Sequence, residues 1–128
     1  MAEIPQDLQY TKEHEYVKAD DDGIVVVGIT DYAQGELGDI VYVELPSVGS
    51  SFGQHDVFGT IEAVKAVSEL FCPAAGKVVE VNARLDQEPA LVNTSPYDDG
   101  WMVKLRLANP RDHAGLLTAD QYRSHVGA

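Results

Sequence analysis

A chain of 128 residues is long enough for one domain with a real core, burying about two thirds of its unfolded surface. Its formal net charge of -12, from 9 basic and 21 acidic side chains, opposes phosphate backbones and anionic lipid and favours partners with basic docking faces. No apolar run reaches the ~20 residues that span a bilayer, and MAEIPQDLQY has neither a basic start nor an apolar signal core, so the mature chain is expected to begin here, in the cytosol.

Residues 1–9, with Pro5 and few apolar side chains, are expected to form a loose arm. YTKEHEYVKA alternates well enough for a strand, which Asp20, Asp21, Asp22 and Gly23 end. Three aspartates suggest calcium, but the fixed-spacing loop with its distal glutamate is missing and a solvated turn is the better reading. GIVVVGI at 23–29 is a strand by its β-branched content. Thr30 can cap a short helix through DYAQGEL, with Gly38 as a left-handed stop. DIVYVEL is the next strand, ending at Pro46, and SVGSSFGQ is a turn rich in glycine and serine.

The next stretch, 58–81, holds a single lysine among apolar and small neighbours until Lys77: Ala63 and Val64 precede Lys65, and Ala66 and Val67 follow it. Good helix formers from Ile61 to Phe71 would allow a helix with Lys65 on its wet side. Val57, Gly59, Ile61 and Ala63 instead fall at period two, and Pro73 with Gly76 closes the run before the strand GKVVEV, which suggests two strands with a bend near Lys65. That bend lacks Asn-Gly or any other favoured hairpin dipeptide, and such breaks of a local rule concentrate at functional sites. Composition does not decide between the two.

Beyond Ala83 the chain turns through RLDQEPA and LVNTSPYDDG into the strand WMVKLRL. Asn109 and Pro110 start a short helix, Thr118 to Gln121 reads as a capping box, and Leu117 can staple onto Tyr122. Residues 110–126 are thus expected to be a helical segment that packs as a buttress on a single domain spanning 1–128.

Enzymatic machinery of the familiar kinds is not evident. His14, His55, His113 and His125 are dispersed, with neither HExxH nor a Cys-His cluster. There is no GxSxG, Cys72 sits in an acidic, apolar neighbourhood, and GELG and GSSFG lack the Gly-Lys-Ser/Thr of a phosphate cradle. As the only cysteine, Cys72 permits no intrachain disulfide, which fits a reducing compartment.

The segment GTIEAVKAVSELFCPAAGKVVEVN resembles the lipoylation region of the glycine cleavage system H proteins. YTKEHEYV, GITDYAQGELGDIVYVELPSVG and LVNTSPYDDGWMVKL agree with the same family in the same order, so the resemblance covers roughly residues 8–126. It implies a mainly β fold, the lipoyl/biotinyl-type barrel-sandwich hybrid of two small antiparallel sheets, with short helices and a C-terminal helix. A faint repeat between GDIVYVEL and GKVVEVNA suits two half-sheets of that kind, although two ordinary strands after glycines would look alike.

The resemblance further implies lipoic acid in amide linkage to Lys65. Glu62, three residues before it, and Gly76, eleven after it, stand at the positions by which a lipoate ligase or a lipoyl/octanoyl transferase recognises its target. The chain would then be a non-catalytic carrier. It would take an aminomethyl group from a pyridoxal-phosphate glycine decarboxylase (P protein) to a tetrahydrofolate-dependent aminomethyltransferase (T protein), and be reoxidised by dihydrolipoamide dehydrogenase (L protein). Neither nucleic acid nor membrane is implied as partner, and the bacterial cytoplasm is favoured over the mitochondrial matrix.

The cationic cargo would want a carboxylate in a cleft, and the matching motifs offer Glu15, in HEYV, and Glu69. Glu69 is longer than the family's usual aspartate. Tyr16 stands where tryptophan is usual, keeping an aromatic wall and adding a hydroxyl that needs a partner. A dithiol on Lys65 also predicts that Cys72 is buried, since an exposed thiol seven residues away would risk mixed disulfides. Rival readings are a biotinyl or 2-oxo acid dehydrogenase-type lipoyl carrier, a small enzyme using Glu15, Glu62 or Glu69 as acid and base, and an unmodified acidic interaction module.

Overall fold

The structure, a computed structural model, describes residues 3–20, 23–109 and 116–127. It is built from two antiparallel sheets. The six-stranded sheet has the order β1-β2-β3-β9-β8-β5, with β1 Gln9–Tyr10, β2 Glu15–Ala19, β3 Ile24–Ile29, β5 Ser51–Phe52, β8 Gly76–Val81 and β9 Val103–Leu107. The three-stranded sheet has the order β4-β6-β7, from Ile40–Glu44, Val57–Ala63 and Val67–Phe71. The strands that carry the faint repeat, β4 and β8, lie in different sheets.

Period-two burial makes the core. On β3, Val25, Val27 and Ile29 point inward, and on the other sheet Ile40, Val43, Phe58, Ile61 and Leu70 complete the cluster with Val78, Met102 and Leu105. A second cluster joins Ile4, Leu8, Tyr10 and Tyr16 to Ala119 and Tyr122 of the C-terminal helix α3, Ala119–Val126. The segment expected to be a loose arm is therefore tied down from Glu3 onward. Ile4 and Leu8 are buried, and the Glu3 N–H donates to Asp31 Oδ2 at 2.8 Å.

Helix ends follow side-chain chemistry. Helix α1, Asp31–Leu37, is capped by Thr30, whose hydroxyl accepts from the Ala33 N–H at 3.1 Å. Gly38 has the expected positive φ, 84°, but a ψ of -156° places it outside the left-handed helical region. Helix α3 carries the full Thr118–Gln121 capping box and ends on the left-handed Gly127. Leu117 packs against the cluster containing Tyr122 and pairs through its backbone with Tyr10. Of the expected helical segment, residues 110–115 and His113 lie outside the described residues, as do Asp21 and Asp22 of the acidic turn.

Two departures from the sequence reading have physical causes, and one expectation is met. YTKEHEYVKA makes two strands, because a turn intervenes in which the Thr11 N–H donates to Glu15 O at 2.9 Å and the Glu15 N–H to Thr11 Oγ1 at 3.1 Å. RLDQEPA and LVNTSPYDDG are more than turns: Asn82 caps a 3-10 turn at Ala83–Asp86, and a one-turn helix α2 follows at Leu91–Thr94. Tyr16 is the register partner of Gly28, where a Cβ would lie 2.7 Å from the ring, and its hydroxyl donates to Pro96 O at 2.7 Å. The partner that this hydroxyl needed thus comes from 80 residues away.

Candidate functional site

Lys65 stands at the tip of the β6–β7 hairpin, so the two-strand reading holds and the helical one does not. The tip consists of residues 64–66, closed by the Ala63 N–H donating to Ala66 O at 2.7 Å. The Val64 N–H donates to Asp39 O at 3.0 Å, which ties the tip to the loop between α1 and β4. Asn93 of α2 holds that loop from the other side. Its amide donates to Gly38 O and accepts from the Ile40 N–H, both at 2.9 Å.

Val64 is 75% exposed and Lys65 is exposed beside it. Among the described residues Lys65 has no ion-pair partner. Its stem runs over Gly38, where a Cβ would sit 3.3 Å from Lys65 Cε. A rigid hairpin thus presents one unpaired amine, and the positive-φ Gly38 leaves room for it.

The other sequence candidates fall into separate places. Glu62 is exposed on the outer face of β6, paired in register with Tyr42 on one side and Val67 on the other. Gly76 opens β8 in the six-stranded sheet, buried, with no room for a side chain: a Cβ would lie 2.8 Å from Arg106 O. Glu15 and Glu69 come together, lining one cleft of about 220 Å3 between β7, the β1–β2 turn and α1. Leu37, which precedes Gly38 in the chain, lines the same cleft.

The two glutamates are unlike each other. Glu69 is exposed at the sheet edge, whereas Glu15 is 1% exposed. Glu15 Oε1 accepts from Thr11 Oγ1 at 2.7 Å, and Oε2 accepts from the Phe71 N–H at 3.4 Å. Burial outweighs these two bonds and pushes its pKa up to about 8, so near pH 7 Glu15 is mostly the neutral acid.

Four further carboxylate or hydroxyl side chains of the cleft escaped sequence reasoning: Glu13, Tyr32, Glu36 and Ser68. The available signal was the four-residue spacing of Tyr32 and Glu36 on α1, which puts them on one helix face. Cys72 is buried as expected. Its thiol donates to Ala74 O at 3.1 Å, and burial raises its pKa to about 11.

A mainly β chain of two sheets with an exposed lysine on a hairpin has the lipoyl/biotinyl type of architecture. A crystal structure of a glycine cleavage system H protein from Mycobacterium marinum superposes with a TM-score of 0.90 at 39% identity, covering 98% of this chain and 100% of that one. The glycine cleavage system H protein of Opitutus terrae is 52% identical over 127 residues, 99% of this chain and 100% of the relative. That of Chlorobaculum tepidum is 54% identical over 125 residues, 97% and 98% of the two chains. The family model for the glycine cleavage H-protein matches residues 8–127. The chain belongs to the glycine cleavage H-protein family.

Proposed function

We propose that this chain is the lipoyl-lysine carrier of a glycine cleavage system, with lipoic acid in amide linkage to Lys65. The observation that carries the proposal is the exposed amine of Lys65, without an ion-pair partner among the described residues, on a pinned hairpin whose neighbour Gly38 follows Leu37 of an acid-lined cleft. The residues fit the group: an amine free of ion pairs can be acylated, and the resulting neutral amide has no lost salt bridge to replace.

When bound, lipoate supplies a disulfide that accepts an aminomethyl unit from one enzyme and surrenders it to the next. The chain's own residues do the rest. Lys65 Nζ is the fixed point of the tether. Glu62, exposed three residues before it, offers the acylating enzyme a carboxylate to grip, and Gly76 keeps β8 flush against β9 so that the platform has the recognised shape.

In the cleft, Glu15 and Glu69 receive the cationic end of the cargo, with Glu13 and Glu36 adding to the negative potential. Glu15 gives up its proton when a cation arrives, because a nearby positive charge favours the ionised carboxylate. The apolar wall of Ile61, Leu70 and Leu37 keeps water from the loaded end.

The partners are the pyridoxal-phosphate glycine decarboxylase, the tetrahydrofolate-dependent aminomethyltransferase, dihydrolipoamide dehydrogenase and a lipoate ligase or lipoyl/octanoyl transferase, in a bacterial cytoplasm. The carrier itself catalyses no step. Among the described residues no helix is long and apolar enough to cross a membrane. Intact mass of protein from cells able to make lipoate tests the reading. A lipoyl amide mapped to Lys65 is the expected result, and a biotinyl amide or no addition at all would overturn it.

A further inference from the structure

Five of the six exposed large apolar side chains among the described residues belong to the three-stranded sheet and its hairpin tip: Val41, Tyr42, Val57, Val64 and Val67. Strict alternation along β4 would have sent Tyr42 into the core. A β-bulge prevents this. Ile40 pairs with Ala63 and Tyr42 with Glu62, so Val41 is an extra residue, and Val41 and Tyr42 both stay outside, at 51% and 44% exposure.

The bulge therefore turns Tyr42 onto the outer face in one row with Glu62 and Val67, across all three strands, just below the Lys65 tip. The next row on that face is Glu44, Thr60 and Glu69. β4, β6, β7 and the tip carry three carboxylates, Glu44, Glu62 and Glu69, and a single base, Lys65 itself.

We infer that the row Tyr42–Glu62–Val67 is the docking surface for the enzyme that acylates Lys65, a partner presenting an apolar hollow rimmed by basic side chains. The inference rests on the lipoyl-lysine reading and names the surface by which that modification is achieved. Charge complementarity sets the rim, since carboxylates are the only charges this face offers apart from the acceptor amine. Reach sets the occupant. An unmodified lysine is far shorter than an acylated one, so an enzyme that attacks its acyl donor with Nζ must close over the tip and bury the nearest row. Enzymes that later receive the long arm need not.

Nζ, after losing a proton to the enzyme, forms the amide C–N bond, and the activated carboxyl loses its leaving group, so the face becomes more acidic by one charge.

The test uses a purified lipoate ligase with ATP and lipoate. Initial rates are followed by intact mass, and the affinity of ligase for the unmodified chain by calorimetry. Tyr42→Ser should raise the KM for the carrier about tenfold with kcat nearly unchanged, as expected for an aromatic anchor. Val67→Lys should raise it further by setting a cation against the basic rim. That variant keeps the fold, because a lysine on the exposed edge strand β7 is well tolerated, and circular dichroism with the melting midpoint verifies this. Val48→Thr, on an exposed turn away from this sheet, should behave as wild type.

Wild-type KM and affinity in both Tyr42→Ser and Val67→Lys would overturn the inference while leaving a lipoylated wild type to support the carrier reading. A wild-type chain that accepts no lipoyl group would bring down both.

Discussion

Tyr122 Oη lies 2.8 Å from His14 Nδ1 and equally 2.8 Å from Thr30 Oγ1. One hydroxyl of the C-terminal helix thereby binds the two walls of the cleft. His14, at a φ of 74°, precedes Glu15, and Thr30 caps α1, which carries Tyr32 and Glu36. The ring is fixed in turn by stacking on Tyr10 at a centroid distance of 4.7 Å. Removing the hydroxyl leaves His14 held in an unfavourable backbone conformation without its side-chain anchor. Tyr122→Phe is expected to cost about 1–2 kcal/mol in urea unfolding and to shorten the half-life of the aminomethyl-loaded carrier, while lipoylation of Lys65 proceeds at the normal rate.

The buried acid gives stability a pH dependence of definite sign. Glu15 has its pKa raised from 4.5 to about 8 by burial, so the folded state binds its proton more tightly than the unfolded chain does. That contribution is complete below about pH 4.5 and fades as pH rises toward and through 8. Every tenfold difference in proton affinity between the folded and unfolded chain corresponds to about 1.4 kcal/mol. Denaturant midpoints measured across this window should fall with pH for the wild type. Glu15→Gln, neutral throughout, should flatten the profile and be the more stable protein above pH 8. A profile no flatter in the variant would show that Glu15 is not the group responsible.

Much of the scaffold could be read directly from local chemistry. Thr30 and Thr118 announced their helices because a cap is a contact over three residues, and β3 announced itself through Val25, Val27 and Ile29. The Lys65 segment could not be decided by composition. Good helix formers stand there beside a period-two pattern, and pairing with β4 and pinning by Asp39 decide for the strands. The bulge at Val41 was equally hidden, since Ile40 to Val43 form an unbroken apolar and aromatic run that fits the sheet whether or not a residue is skipped. The cleft depended on distance in sequence. Glu15 meets Phe71 across 56 residues, and no pattern around HEYV tells a surface carboxylate from a buried acid.

Lys65 should matter for modification and not for folding. Its side chain is exposed and makes no ion pair among the described residues. Lys65→Arg keeps the charge but removes the acylatable amine, because the guanidinium stays protonated. The variant should unfold at the wild-type midpoint within about 0.5 kcal/mol and gain no lipoyl mass. Glycine cleavage reconstituted with it and the three enzymes should stop, and full turnover would refute the tether.

Gly76 poses the opposite case, a residue proposed for recognition that no enzyme can touch directly. It is buried between β5 and β9, paired with Phe52 and Leu107, and a Cβ there would meet Arg106 O at 2.8 Å and the Leu107 Cα at 3.4 Å. These obstacles are backbone atoms and cannot swing aside. Gly76→Ala must push β8 away from β9, an expected loss of about 1–3 kcal/mol by chemical denaturation. Any effect on the ligase follows from that displacement, so lipoylation should slow in step with lost stability and recover when a stabilising substitution elsewhere restores the midpoint. If the variant were as stable as wild type yet poorly lipoylated, the glycine would be read by the ligase itself, and the burial seen here would have to open during docking.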